Sequence, residues 1–152
     1  MKKDKQKSDY IEAKGNGEVI VSVVTVVLNN GCFLEKCLQK YRETLTRNRT
    51  ELIIIDGGSV DNTLDVIKEN SDIITHWASE KDNGIYDAMN KGVLHSRGKY
   101  IIMVNSDDSV EPTVFDEVVN YATTSNADFI ACAARMTRNG NKVFIRWPRK
   151  LD

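Results

Sequence analysis

Two adjacent carboxylates, Asp107 and Asp108, are the side chains of this sequence best suited to hold a metal ion. They follow an apolar run, KYIIMVN at 99–105, that has the composition of a buried strand. Adjacent carboxylates repel each other unless a cation lies close to both. A hard ion such as Mg²⁺ or Mn²⁺ binds one or two carboxylates together with phosphate oxygens. Because Asn, Ser and Asp also favour turns, the pair predicts either a divalent-metal site or a polar turn.

A second polar segment, Asp56-Gly57-Gly58-Ser59, ends another predicted strand. Its glycines permit a positive φ or the close approach of a ligand to the backbone. The Asp56 carboxylate could accept a hydrogen bond from a nucleobase N–H or a ribose hydroxyl. Alternatively, the segment is a strand-to-helix turn in which Ser59 or Asp61 caps the helix. The motif alone leaves both interpretations open.

A third segment, Asp82-Asn83-Gly84, opens a predicted helix that carries Asp87 and Lys91. Backbone N–H groups at the start of a helix can bind phosphate. Asp87 and Lys91 are also four residues apart, which is the spacing of an ion pair on a helix surface. Taken alone, the segment is explained better by the surface ion pair than by a binding site.

The elements that must position these segments alternate between strands and helices. Apolar runs predict strands at 19–28, 51–56, 72–77, 99–105 and 127–134. Helical spacing and capping residues predict helices near Phe33, Asn62, Ile85 and Pro112. This order predicts an α/β fold with three layers, in which helices cover a mostly parallel open sheet. Ligands of such sheets bind at the carboxyl ends of the strands, so we expect the polar segments to meet at one edge.

Length and composition limit the possible classes of protein. The 152 residues suit one domain, which we place at 18–152, after a loose polar leader at 1–17. The net charge of −1 gives no field that would attract nucleic acid. The three cysteines have no C-x-x-C spacing, no apolar secretory signal is present, and the apolar stretch at 19–28 is too short to cross a bilayer. These features predict a cytoplasmic protein without a nucleic-acid partner.

Four segments together resemble the motifs of family 2 glycosyltransferases of the GT-A fold. They are VVTVVLNN at 23–30, DGGSVDNT at 56–63, SEKDNGIYDAMNKG at 79–92 and NSDD at 105–108, in the order that the family has. The sequence is most similar to bacterial enzymes of polysaccharide biosynthesis, over about residues 19–134. The resemblance implies a Rossmann-like GT-A domain, a nucleotide-sugar donor for which UDP is favoured, and a divalent metal, Mn²⁺ or Mg²⁺.

The resemblance also assigns roles to individual positions of the nucleoside pocket. It implies that Thr25 and Asn29 line this pocket and that Asp56 holds the base, which is often uracil in the family. Leu28 stands where many members have Tyr, so a ring that could pack on the base is absent.

The diphosphate and the metal are assigned in the same way. The resemblance implies that Asp87 and Lys91 face the ribose and the diphosphate, that Asp107 contacts the ribose or the metal, and that Asp108 binds the metal. Asn105 replaces the first Asp of the D-x-D-D form of the motif, and Lys81 stands where Pro is usual.

The predicted function is the transfer of a sugar from a nucleotide-diphosphate donor to a saccharide or lipid-linked acceptor, with metal assistance and inversion at the anomeric carbon. Family members continue beyond the position of Asp152, so we expect the acceptor half and the catalytic base to be missing here. The expected consequences are self-association through apolar surface near Phe144, Ile145 and Trp147, or completion by a partner chain. A peripheral position at the inner membrane face would suit a lipid-linked acceptor. The alternative is a non-catalytic nucleotide-binding or interaction module left by truncation.

Overall fold

The computed structural model describes residues 7–10, 18–44, 49–108, 110–138 and 141–146. The strands in these ranges are Lys7–Tyr10 (β1), Val21–Val27 (β2), Thr50–Asp56 (β3), His76–Ser79 (β4), Tyr100–Met103 (β5), Ala134–Arg138 (β6) and Asn141–Arg146 (β7). The helices are Gly31–Thr44 (α1), Thr63–Glu69 (α2), Ile85–His95 (α3) and Pro112–Thr124 (α4). Strands and helices therefore alternate from β2 to α4, as the sequence predicts.

The larger sheet has the strand order β1-β4-β3-β2-β5. Parallel pairing joins β4 to β3, β3 to β2 and β2 to β5. Every residue of β2 is buried, which fits a mostly β-branched strand that is covered on both faces. Since β3 and β4 lie on one side of β2 and β5 lies on the other, the direction of strand addition reverses after β4. A reversal of this kind opens a crevice at the carboxyl ends of β2 and β5.

Helices cover both faces of this sheet. On one face, Val24 and Val26 of β2 pack with Ala88 and Met89 of α3. On the opposite face, the alternate strand residues, such as Val23, pack with residues of α1, α2 and α4. No helix in the described part of the chain combines the length and the apolar character that crossing a membrane requires. The predicted three-layer α/β architecture is confirmed.

One predicted element between β3 and α3 is shifted, whereas α2 begins directly after Asn62 as expected. The strand expected at 72–77 begins later, at His76, because a turn continues past the end of α2 through residue 73. In that turn, the backbone N–H of Ile73 donates to the carbonyl of Asn70. Asn62 occupies the N-cap of α2 but makes no side-chain cap hydrogen bond. The side chain of Asp61 accepts from the backbone N–H of Thr63 instead.

The strand expected at 127–134 is wrong. Residues 127–133 have no strand: Phe129 is 70% exposed, and Ile130 packs partly buried against the core. The Tyr100 hydroxyl holds this segment by donating to the carbonyl of Ala127 at 2.7 Å. The strand that follows, β6, pairs antiparallel with β7 in a separate two-stranded sheet. The structure describes only the backbone of Phe144 and Ile145, and Trp147 lies outside the described residues, so self-association through these side chains stays a prediction.

The leader expected to be loose contains a strand. Residues Lys7–Tyr10 pair antiparallel with β4 at the edge of the larger sheet. An edge strand presents unpaired N–H and C=O groups, and a short segment without apolar periodicity can satisfy them through its backbone alone. Residues 1–6 and 11–17 lie outside the described part of the chain. The division into a leader and one domain at 18–152 stays a prediction.

Candidate functional site

A cavity of about 290 Å³ opens at the crevice between the ends of β2 and β5 and the start of α3. Its lining combines apolar side chains with amide, hydroxyl and carboxylate groups. The lining residues are Val26, Val27, Leu28, Asn30, Asp82, Gly84, Ile85, Ala88, Asn105, Ser106 and Asp107. The cavity therefore lies where the order of the strands reverses, which is the position that the α/β architecture predicts for a ligand.

The carboxylate pair lies in a turn beside this cavity. The backbone N–H of Asp108 donates to the carbonyl of Asn105 at 3.0 Å. The Ser106 hydroxyl accepts from the Asn30 side chain, also at 3.0 Å, and this bond ties the turn to the end of β2. Asp107 lines the cavity, and both carboxylates are exposed. The two interpretations of this segment are therefore compatible, because a turn presents the pair.

The electrostatics of this pair favour a cation. Burial, and then the charge of Asp107, raise the pKa of Asp108 above its ordinary value. A cation between the two carboxylates would relieve this repulsion. Within the described ranges, no group of three or more His, Cys, Asp and Glu side chains could hold a metal ion. The protein would therefore supply two hard oxygen ligands, and phosphate and water would supply the rest, which fits Mg²⁺ or Mn²⁺.

Asp56 is not part of the cavity. Its side chain is 0% exposed at the end of β3. The carboxylate accepts from the backbone N–H groups of Gly58, at 3.3 Å, and Ser59, at 3.1 Å. It also accepts from the hydroxyls of Ser59 and Ser79, the latter at 2.6 Å. These donors make Asp56 the centre of the β3–α2 turn and link that turn to β4, and they leave no carboxylate surface for a base.

Asp87 and Lys91 form an ion-pair cluster outside the cavity lining. Lys91 Nζ lies 2.8 Å from Glu80 Oε1 and 3.5 Å from Asp87 Oδ2. Asp87 Oδ2 also accepts from the backbone N–H of Asn83 at 3.0 Å. That hydrogen bond is the main cause of the lowered pKa of Asp87, and the bond to Glu80 is the main cause of the raised pKa of Lys91. The cluster thus ties the β4–α3 loop to the first turns of α3.

Comparison with known proteins decides the family. The model of glycosyl transferase family 2 matches residues 22–151. The chain belongs to this family. The poly(ribitol-phosphate) beta-N-acetylglucosaminyltransferase TarP of Staphylococcus aureus is 32% identical over 114 residues, which are 72% of this chain and 35% of TarP. This member of family 2 spans about one third of the length of the curated relatives that it matches.

Solved structures show the same fold. The mannosyltransferase of Pyrobaculum calidifontis, in complex with GDP-Man and Mn²⁺, has a TM-score of 0.61 at 20% identity and covers 70% of this chain and 33% of its own. TarS 1–349 of S. aureus, in complex with UDP-GlcNAc, has a TM-score of 0.62 at 16% identity, with 69% and 31% covered. The predicted GT-A fold is therefore confirmed.

Two residues that the family resemblance assigned to the nucleoside pocket do not line the cavity. Thr25 is 0% exposed, and its hydroxyl lies 3.4 Å from the Tyr41 hydroxyl, between the sheet and α1. Asn29 has a positive φ of 49°, and its side chain accepts from the backbone N–H of Val60 at 2.9 Å. Asn29 therefore shapes the loop after β2, and its neighbours Leu28 and Asn30 reach the cavity.

Asp82 lines the cavity, and the sequence pattern did not predict a role for its side chain. Its Oδ1 accepts from the backbone N–H of Gly84 at 2.9 Å. Its Oδ2 lies against Gly57, where any Cβ would overlap it. The glycine of the DGGS segment thus makes room for a carboxylate from another loop. The sequence signal for Asp82 is the polar loop 82–84 itself, whose pattern predicts only a role for backbone N–H groups.

Proposed function

We propose that this chain binds the donor of a glycosyl transfer, a nucleoside-diphosphate sugar, with a divalent metal at Asp107 and Asp108. One observation carries the proposal: the cavity at the strand-order reversal is lined by Asp107, the first of two adjacent exposed carboxylates. Two structural neighbours support it, since one holds GDP-Man with Mn²⁺ and the other holds UDP-GlcNAc. UDP is the proposed nucleotide. Its support is that the relative TarP is an N-acetylglucosaminyltransferase and that the TarS complex contains UDP-GlcNAc.

The residues present fit the chemistry of the transfer. A bound metal ion would act as a Lewis acid on the diphosphate, which leaves when the bond to the anomeric carbon breaks. Asp107 and Asp108 would hold the ion, and the hydrogen bond between Asn30 and Ser106 fixes the loop that carries them. The acceptor hydroxyl would form the new bond to the anomeric carbon in one displacement, with inversion, and would lose its proton to a base.

The whole reaction is proposed for the complete enzyme, with a saccharide or lipid-linked acceptor. Because the chain covers about one third of its relatives, the donor site is the part of the activity assigned to it. No described residue is assigned as the base. A partner chain or a further segment would supply the acceptor site in this proposal.

The test is a calorimetric titration of UDP, and then of GDP, with and without Mn²⁺. We expect wild-type binding to require Mn²⁺ and Asp108→Ala to weaken it about tenfold or more, equivalent to about 1.4 kcal/mol. Asp128→Ala is the matched control, because it removes an exposed carboxylate that lies outside the cavity lining. Equal Mn²⁺-dependent affinity in wild type and Asp108→Ala would refute the metal assignment. Absence of binding by the folded wild type would favour the non-catalytic interaction module.

A further inference from the structure

The nucleobase of the donor needs a recognition group, and Asp56 is not available for this role. The Asp56 carboxylate is fully buried and already accepts hydrogen bonds from Gly58, Ser59 and Ser79. Exposing it to a base would break the turn that joins β3 to α2 and would leave the hydroxyl donors unpaired. The energetic cost of unpaired buried donors opposes such a rearrangement.

Asp82 supplies a carboxylate at the cavity wall with its orientation fixed. The backbone N–H of Gly84 holds Oδ1 at 2.9 Å. Oδ2 lies beside the backbone of Gly57, and within the described ranges no hydrogen-bond donor to Oδ2 is found. Within the described ranges, the ion pairs of Lys91 are with Glu80 and Asp87. A ligand that enters the cavity therefore meets a carboxylate whose Oδ2 accepts no hydrogen bond from the described residues.

The groups around Asp82 determine which class of ligand fits the cavity. Leu28, Ile85 and Ala88 give the cavity an apolar wall, against which a planar ring can pack. An ionised carboxylate only accepts hydrogen bonds. Uracil and guanine carry a ring N–H on their pairing edge, whereas cytosine and adenine present a ring nitrogen acceptor there. A fixed carboxylate therefore attracts the first two bases and repels the lone pair of the other two.

We propose that Asp82, in the place left open by Gly57, is the specificity-determining residue that accepts a hydrogen bond from the ring N–H of a uracil or guanine base. The inference rests on the proposed function, because it requires a nucleotide in the cavity. It assigns selection of the base to the β4–α3 loop and leaves to Asp56 the role of holding the β3–α2 turn. Gly57 becomes a requirement of this arrangement, since a side chain there would displace the carboxylate.

The test compares UDP, CDP, N3-methyl-UDP and 2′-deoxy-UDP by calorimetric titration in Mn²⁺. For the wild type, we expect UDP to bind about tenfold or more tightly than CDP and N3-methyl-UDP, because a site that pairs a specific N–H discriminates strongly against its loss. In Asp82→Ala, UDP and CDP are expected to bind alike, still with a requirement for Mn²⁺. In Asp82→Asn, which keeps the size of the side chain, the amide can donate to cytosine, so the preference for UDP over CDP falls. Lys81→Ala is the control on the same loop, with an exposed side chain, and keeps the wild-type ratio.

The outcomes separate this inference from the proposed function. If no nucleotide binds the folded wild type in Mn²⁺, the proposed function fails and the inference fails with it. If nucleotides bind but Asp82→Ala and Asp82→Asn keep the full UDP-to-CDP ratio, the inference alone fails. If the contribution of Asp82 disappears with 2′-deoxy-UDP and persists with N3-methyl-UDP, the carboxylate binds the ribose, which also overturns selection of the base.

Discussion

Glu51 shows how a single buried charge can join three elements far from the site. It is 2% exposed at the start of β3. Its carboxylate accepts from the Ser22 hydroxyl of β2 at 2.6 Å and from the backbone N–H of Arg97 at 2.6 Å. The guanidinium of Arg97 completes the cluster, with Nη2 at 2.9 Å from Oε2. Glu51 therefore fixes the segment between α3 and β5 to the sheet.

Replacing Glu51 is expected to destabilise the fold without removing a cavity residue. Glu51→Ala leaves buried donors unpaired, and we expect the free energy of unfolding to fall by about 2–3 kcal/mol, as for hydrogen bonds to charged groups. The partial exposure of Arg97 keeps the loss below that of a fully buried pair. Urea unfolding measures it, with the exposed Glu69→Ala as control, expected within about 0.5 kcal/mol of wild type. A loss no larger than that of the control would contradict this role.

At the level of residues, the sequence predicts which side chains are candidates for function better than it predicts the groups that those side chains contact. The local pattern alone predicts Asp107 and Asp108 as candidate metal ligands, and the turn after β5 places Asp107 in the cavity lining. The role of Asp56 depends on Ser79, which comes from a different strand. The role of Asp82 depends on the missing side chain of Gly57. Contacts between segments distant in the chain decide such roles, and a local motif does not contain them.

The position of α3 on the sheet controls the cavity, because the first turn of this helix forms part of its wall. Gly84, Ile85 and Ala88 line the cavity, and Gly92 lies one turn further along, against β2. A Cβ at Gly92 would overlap Val24 Cγ1. Helix and sheet therefore approach each other as closely as they do because position 92 has no side chain.

Gly92→Ala tests this close approach. In an open helix position, Gly→Ala stabilises by about 1 kcal/mol. Here we expect the opposite sign, a loss of about 1–3 kcal/mol from overpacking, together with weaker Mn²⁺-dependent nucleotide binding as α3 moves off the sheet. Urea unfolding and titration measure both effects, with the exposed Asn90→Ala on the same helix as control. If Gly92→Ala is as stable as wild type, the space between α3 and the sheet accommodates a Cβ, and the close approach does not depend on the glycine.

Elements were predictable where the pattern was long and periodic. The β-branched run of β2 and the helices α1, α3 and α4 lie close to their expected positions. The apolar run at 127–134 failed because apolar composition forms a strand only where a neighbouring strand can pair with it. The short strand β1 was missed for the opposite reason, since it pairs at an open edge through its backbone and has no apolar periodicity of its own.

At the scale of the whole molecule, the order of the strands determines which polar loops lie together at the cavity. The alternation of elements predicted that all of these loops lie at one edge of a parallel sheet. It did not predict that β5 adds beside β2, on the side opposite β3. That placement brings the loops after β2 and β5 together, and it leaves the end of β3, with Asp56, inside the fold.

At the start of β4, His76 makes the stability of the molecule depend on pH. It is 3% exposed in β4, and its ring stacks on that of His95 with centroids 4.0 Å apart. Burial, and then the neighbouring His95, lower the pKa of His76, while Glu51 opposes the shift. The unfolded chain therefore takes up a proton on His76 at a higher pH than the folded chain does.

Stability should consequently fall as the pH drops through the ordinary histidine value of 6.5, and level off below the folded pKa. Between these two values, the free energy of unfolding decreases by at most about 1.4 kcal/mol per pH unit. Urea unfolding from pH 7.5 to 5.5 measures the slope, because this range spans the ordinary histidine value of 6.5. His76→Phe keeps a stacking ring without a titrating group and should flatten the slope, whereas His95→Gln should retain it in weaker form. Identical slopes in wild type and His76→Phe would mean that His76 is protonated equally in the folded and unfolded chain.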